Sequence, residues 1–472
     1  MVFSSLEFIF AFLPISLILY FVIPAKYLKL RNVSLLLVSL AFYGWGEPVY
    51  VFIMMFSIVQ EYFCGLGVSK FIQKDKKIAR RFVILSVIIN LSLLGFFKYY
   101  DFFITNLRLI PALSGLKTMG IALPIGISFY TFQTMSYTLD IYMGNAYVQK
   151  NILSFGAYVT LFPQLIAGPI VRYQDVDEML RHRDENFAMF ASGVRTFIAG
   201  LGKKIFFANI VGAMWESYKI IPVNQRTVVG CWIGIMCYTF QIYFDFSGYS
   251  DMAIGLGKMF GFRFLENFNY PYIAKNITDF WRRWHMSLST WFREYVYFPL
   301  GGSRCSPFRN YLNLFIVWFL TGFWHGASWN YILWGLYYVF ILIIEKAFLL
   351  KLLKKLPAFI QHIYSIFIIM IGWVLFVFED MAAGATYIGN MFGVGVSGFA
   401  QIGDLYDILR NLVFFIIVAI AATPYPKKIF YKLYEKNSVA RIATVAGGVC
   451  VMMLCLAYLV DSSFNPFLYF RF

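Results

Sequence analysis

Charge is the scarcest property of this chain. Only 14% of its 472 residues are charged, where a soluble domain carries about 25%, and that deficit excludes a single water-soluble core behind a solvated face. Histidine is scarcer still, with four residues in all. The six cysteines, Cys64, Cys231, Cys237, Cys305, Cys450 and Cys455, show no Cys-x-x-Cys or Cys/His ligand spacing. That pattern supplies neither a disulfide framework nor a metal site. Five of them lie in or beside apolar runs and read as small buried hydrophobes, while Cys305 stands in the polar stretch GGSRCSPFRN. No internal repeat of fixed period occurs, and no matched pair of interrupted hydrophobic segments recurs in two halves, which argues against a secondary transporter.

What the chain has instead is 60% hydrophobic and 21% aromatic residues, arranged in runs of about 17 to 25 residues that match the hydrocarbon thickness of a bilayer. The composition predicts an all-α polytopic membrane protein with about 11 to 13 membrane segments. The first run, FIFAFLPISLILYFVIP, has no basic residue before it and no small-residue cleavage site after it, so it reads as a retained span rather than a signal peptide. The net charge of +16 is distributed in short clusters between apolar runs, such as KDKKIARR (74–81), KLLKKL (351–356) and PKKIFYKLYEK (426–436). Such spacing is the positive-inside pattern, with membrane lipids and not nucleic acid as the partner.

With those clusters cytoplasmic, the runs between 26–31 and 70–81 form a hairpin turned at GEPVY, and the acidic stretch Glu379 to Leu409, which has no Lys or Arg, falls outside. The expected localisation is the cell membrane, multi-pass, with both termini extracytoplasmic and the last stretch, FNPFLYFRF, outside. Two further segments, 122–142 and 161–173, are apolar but carry Pro, Gly, Gln and, in the first, Asp. Backbone of that kind at membrane depth walls a cavity or re-enters.

Tryptophan narrows the search for chemistry. Seven of eleven tryptophans (Trp281, Trp284, Trp291, Trp318, Trp324, Trp329 and Trp334) fall within residues 281–334, whereas interfacial belts scatter them over every span end. Two Trp-His pairs occur in the same window, at 284–285 and 324–325, where chance predicts roughly 0.1.

Read as one helix, DFWRRWHMSLSTWFREYVYF (279–298) puts Trp281, Trp284, His285, Leu288, Trp291, Phe292, Tyr295, Val296 and Phe298 on one face and Asp279, Arg282, Arg283, Ser287, Thr290, Arg293 and Glu294 on the other. That pattern predicts an interfacial amphipathic helix with a basic cytoplasmic side. His285 then sits on the aromatic face, and the three arginines are candidate partners for the phosphates of a donor.

His325 follows Arg309 by 16 residues on an apolar helix, a rise of roughly 24 Å, and an ionisable group at that depth is a functional-site hypothesis by default. Gly322 and Gly326 beside it are expected to clear space for a substrate. Thr321 and Asn330 are expected to hydrogen-bond the ring. Neutral imidazole is a general base that can take a proton from a hydroxyl attacking an acyl carbon. A serine nucleophile lacks the GxSxG elbow, and Asp245 in FDFSGYSD is a candidate for lining the path or for helix packing.

The blocks 241–302 and 320–335, together with MVFSSLEFIFAFLPI, LPIGISFYTFQTMSYTLDIY, FPQLIAGPIVRY and FNPFLYFRF, resemble the membrane-bound O-acyltransferase family, in its alginate O-acetyltransferase-like branch of bacterial polysaccharide acetylation. The resemblance covers essentially all of residues 1–472 as one integral membrane acyltransferase domain, with a catalytic core at about 120–340. It implies a multi-helix fold around a central tunnel reached from both sides. The family's catalytic histidine falls on His325 and its second signature histidine on His285; Trp324, Asn330, Asp245, Arg282, Arg283 and Arg293 become the substrate-binding candidates.

The implied activity is O-acylation, with acetyl taken from cytoplasmic acetyl-CoA and carried across the membrane to a cell-surface or exported polysaccharide. No bound cofactor or metal is implied, and an extracytoplasmic esterase-like acetyltransferase is the implied partner. The alternatives are D-alanyl transfer from an acyl-carrier protein to teichoic acid, and a non-enzymatic polysaccharide exporter.

Overall fold

The computed structural model describes residues 1–166, 168–461 and 465–468, so Ala167 in the expected re-entrant motif and most of the terminal FNPFLYFRF lie outside the described residues. Helices dominate the described residues, and the pairing of Thr227 with Gly398 is an isolated bridge. Six helices, Val51–Phe71, Lys76–Leu107, Phe187–Lys219, Val228–Met259, Ala358–Val377 and Ser438–Asp461, are long and apolar enough to cross a membrane. Two bent pairs raise the number to eight, the first being Phe8–Phe21 with Ala25–Gly46, bent by 101°. The difference from the 11 to 13 expected segments has a local cause. Ile127–Met143 and Trp329–Ile344 have 17 and 16 residues, and Pro307–His325 spends its first turns on Arg309, Asn310 and Asn313.

Two compact units are formed, one from Met1–Phe197 with Tyr249–Glu266 and the other from Ile198–Gly248 with Asn267–Phe472. In the first unit, Val51–Phe71 and the helix from Lys76 form the expected neighbours of the basic 70–81 turn, where Asp75 caps the second helix by accepting from the N–H groups of Lys77 (2.8 Å) and Ile78 (3.2 Å). Glu61, fully buried on the first of these helices, accepts from Ser86 Oγ at 2.8 Å, Asn90 Nδ2 at 3.0 Å and the Thr138 hydroxyl. Neutral donors thus satisfy a carboxyl group that burial would otherwise make costly. The segment 161–173 is interrupted as its Pro and Gly content requires: a single helical turn, Phe162–Leu165, gives way to non-helical backbone before Tyr173–Arg181. Its Gln164 amide donates to Tyr158 O at 2.7 Å, so the broken backbone is buried in protein.

The second unit carries the tryptophan cluster. Its elements are α1 (Val228–Met259, up to Gly248), α2 (Ile277–Trp281), α3 (Met286–Phe292), α4 (Pro307–His325), α5 (Trp329–Ile344) and α6 (Ala358–Val377). Ser306 and Pro307 start α4, the Ser306 hydroxyl accepting from Arg309 N at 3.4 Å. The α4–α5 hairpin closes through glycine. A Cβ on Gly322 would stand 2.4 Å from Tyr331 O, one on Gly335 2.5 Å from Trp318 O, and one on Gly326 2.2 Å from the Tyr331 ring. Gly322 and Gly335 therefore let α4 and α5 approach backbone to backbone, and Gly326 admits the Tyr331 ring; the space beside Gly322 and Gly326 is filled by protein and not cleared for a substrate as expected.

Candidate active site

The window 279–298 does not form one amphipathic helix. It is broken into α2 and α3 at His285, whose backbone is left-handed, with φ 45° and ψ 53°, a conformation in which histidine is tolerated better than most residues. Two buried side chains explain the break. Glu345, fully buried on the turn after α5, accepts from Ile277 N (2.7 Å), Thr278 N (2.9 Å) and Thr278 Oγ1 (2.6 Å). It thereby holds the start of α2 with a carboxylate at a helix N-terminus. Asn267 receives Met286 N on its main-chain oxygen at 2.9 Å, and Ser287 N and Ser287 Oγ on its side-chain oxygen at 3.2 and 2.9 Å. Ser287, expected on the polar face, is buried by that contact, while Phe298, at the end of the window, is exposed.

His285 is 2% exposed. Its ring lies edge-on to Phe246 at 4.7 Å and 6.1 Å from Trp324. His325 ends α4 and is boxed edge-on by Trp324 at 5.1 Å, Trp334 at 5.0 Å and Phe376 at 5.3 Å. The two imidazoles, far apart in sequence, are thus both brought against one indole, Trp324. Edge-to-face contacts of this kind fix ring orientation. Of the neighbours expected to bond the His325 ring, Thr321 Oγ1 donates to Val317 O at 2.7 Å and Asn330 Nδ2 to Phe376 O at 2.9 Å.

A cavity of about 30 Å³ lies against His325, walled by Trp334, Trp373, Phe376, Trp284, Phe246, Ile242, Asp245, Phe467 and Leu468. Its volume holds a group of only a few atoms, and its walls are almost wholly apolar. Asp245 is the charged exception, and it is spoken for: Lys204 Nζ stands 2.6 Å from Oδ1, with both side chains 3% exposed, and Leu468 N donates to Oδ2 at 2.8 Å. Lys204 also donates to Pro466 O. The buried ion pair therefore straps the described part of the C-terminal segment, Asn465–Leu468, across the cavity.

The arginines stand elsewhere. Arg282 and Arg293 are exposed, Arg283 pairs with Asp279 at 3.0 Å, and none of the three lines the cavity. Sequence reasoning missed Asn267, Lys204, Glu345, Phe246, Trp373 and Phe376. For Lys204 and Glu345 a signal existed, because each is an ionisable residue inside an apolar stretch, and each sits in a widened helical turn, Lys203–Ala208 and Glu345–Leu349. Such turns are frequent at functional sites.

The sequence profile of the membrane-bound O-acyltransferase family matches residues 145–379, a stretch that includes both histidines and most of the cavity wall. Over its whole length the chain is 36% identical to the whole of the probable alginate O-acetylase AlgI of Azotobacter vinelandii. It belongs to the membrane-bound O-acyltransferase family. The acyltransferase is also 33% identical, over its full length and 98% of the relative, to the peptidoglycan O-acetyltransferase of Helicobacter pylori. Its likeness to the teichoic acid D-alanyltransferase of Bacillus subtilis is more partial, 31% identity over 46% of this chain and 58% of that one. As a member of the family it is a multi-pass membrane enzyme that transfers acyl groups to oxygen.

Proposed function

We propose that this O-acyltransferase moves acetyl from cytoplasmic acetyl-CoA across the membrane for O-acetylation of a cell-surface or exported polysaccharide, with His325 as the catalytic base. The observation that carries the reading is the His325 imidazole at the wall of a small aromatic cavity. A cavity of about 30 Å³ suits the methyl and carbonyl of an acetyl group and is too small for a sugar ring, which must present its hydroxyl at the margin. His325 takes the hydroxyl proton as the oxygen attacks the thioester carbonyl; the new C–O ester bond forms, the C–S bond breaks, and the proton passes to the departing thiolate. The apolar walls keep water from competing for the acyl group.

His285, against the same indole, meets the donor while His325 activates the acceptor hydroxyl, and Trp324, Asp245 and Asn330 shape the acyl site. Arg282, Arg283 and Arg293 are offered to the donor's phosphates at a cytoplasmic surface. The catalytic core falls within about 120–340, and both termini are extracytoplasmic. An extracytoplasmic esterase-like acetyltransferase is the partner that completes delivery to the polymer. Acetyl is preferred to D-alanyl because two relatives matched over all of this chain are named for O-acetylation, whereas the match to the D-alanyltransferase covers 46% of it.

The deciding experiment is mass spectrometry of surface polymers from cells carrying the wild-type gene, no gene, or His325→Ala. Loss of the acetyl increment without the gene and with the variant, which still accumulates in the membrane, is the expected result. Full acetylation with His325→Ala overturns the assignment of the base. Loss of D-alanine esters overturns the acetyl reading.

A further inference from the structure

His285 is held in a way that fixes more than its position. The side-chain oxygen of Asn267 meets three groups: Ser287 N at 3.2 Å, Ser287 Oγ at 2.9 Å and His285 Nδ1 at 3.1 Å. A backbone N–H can only donate, so the Asn267 atom it meets is the amide oxygen and not the amide nitrogen. An oxygen with no hydrogen of its own requires a proton on the ring nitrogen that faces it. Nδ1 of His285 therefore carries the proton, and in the neutral ring Nε2 is left with its lone pair. Nε2 is buried and has no hydrogen-bond partner among the described residues. Burial pushes the imidazole down to about 3, which keeps the ring neutral across the physiological range.

We infer that Asn267 is a positioning residue that locks His285 into the Nδ1-protonated tautomer, so that Nε2 is presented as a hydrogen-bond acceptor to an O–H or N–H of the bound substrates. In this state His285 cannot donate to a developing oxyanion. It accepts, and its partner is a hydroxyl of the acyl acceptor or an amide N–H of the donor. Two further features support a functional rather than a packing role. His285 holds a left-handed backbone, a conformation kept only where the surroundings over-determine it and often found at active sites. The same asparagine also fixes that backbone, by accepting from Met286 N at 2.9 Å.

The charges around the ring leave room for this reading. On α1, Asp245 is paired with Lys204; on α4, His325 touches the same indole, Trp324; just after α2, Arg283 is paired with Asp279; and before Asn267, Glu266 is exposed.

Two experiments on the full-length protein in detergent test the inference, and only the second rests on the acyl-transfer reading. In the first, ¹⁵N-histidine NMR of the wild type, with the His285 signals identified by their loss in His285→Gln, should show a protonated Nδ1 and an unprotonated Nε2. A protonated Nε2 overturns the inference whatever the enzyme acylates. In the second, the pH profile of acyl transfer is compared for wild type and Asn267→Asp. A carboxylate facing Nδ1–H stabilises the imidazolium, which puts a proton on Nε2 and removes its acceptor lone pair. The variant should therefore gain an acid limb, with kcat falling by about a hundredfold at the acid end and recovering as pH rises, while the wild type shows no such limb from His285. A variant that stays folded and keeps the wild-type profile overturns the inference. If Asn267→Asp does not fold, the NMR result decides. If the wild type transfers no acyl group but has the expected tautomer, the acyl-transfer reading fails and the positioning role stands.

Discussion

The two Trp-His windows look like copies in the sequence, and they are built by different physics. At 324–325 the imidazole ends a long helix and is oriented by rings: Trp324, Trp334 and Phe376 stand edge-on within 5.3 Å. At 284–285 the helix is interrupted, the backbone turns left-handed, and the ring is oriented by a buried asparagine 18 residues earlier in the chain. His325 is boxed by aromatic rings, and His285 adds to its ring contacts a directional hydrogen bond to Asn267. Packing fixes the plane of a ring but says little about which nitrogen bears the proton; a directional acceptor fixes both. The same dipeptide can therefore mark two imidazoles with separate duties, and the glycine-lined helix hairpin and the polar clamp are the parts that make them differ.

Several substitutions would break or sharpen that contrast. The largest effect is expected from His325→Gln, with acyl transfer reduced by about 10²–10⁴-fold and membrane accumulation unchanged, read by transfer of labelled acetyl. His285→Gln should cost less at saturating donor and should raise the donor KM; equal losses of kcat in the two variants with unchanged KM would erase the division of labour.

Next in size is the strap on the cavity. Lys204→Met leaves the Asp245 carboxylate buried and unpaired, at a cost of about 3–5 kcal/mol, seen as a lowered unfolding midpoint in detergent. The double variant Lys204→Met, Asp245→Leu should recover part of the loss, because removing both charges is far cheaper than removing one. An unchanged midpoint in the single variant would remove the ion pair from the description of the site.

Gly322→Ala should cost about 1–3 kcal/mol through the clash with Tyr331 O. Stability intact with activity lost would restore the idea that this glycine makes room for substrate. Arg293→Gln, at an exposed position, should leave the unfolding midpoint alone and only raise the donor KM. No change in KM would remove that arginine from donor binding.

Much of the architecture was legible because it rests on local composition. The long apolar runs at Val51–Phe71, Lys76–Leu107 and Ala358–Val377 are read directly from residue type. The aromatic centre was legible as a cluster of tryptophans, and Trp281, Trp318 and Trp334 do pack ring against ring, at 4.7 and 5.4 Å from Trp281. The helical reading of 279–298 failed because its period assumed continuity. Glu345, 68 residues beyond Ile277, and Asn267 supply partners that stop α2 and turn the chain, and no local pattern announces them.

By itself, the sequence determined the solvent this protein lives in, its longest apolar spans, and the two histidines worth asking about. Each follows from residue type and short-range spacing, which act before any distant contact forms. The tertiary structure alone decided which glycines are for packing, which charge closes the cavity and which nitrogen of His285 is left to accept. Those depend on pairs such as Asn267 with His285 and Lys204 with Asp245, brought together only when the chain closes on itself. Directional hydrogen bonds and buried charges then choose among states that hydrophobic periodicity leaves equivalent.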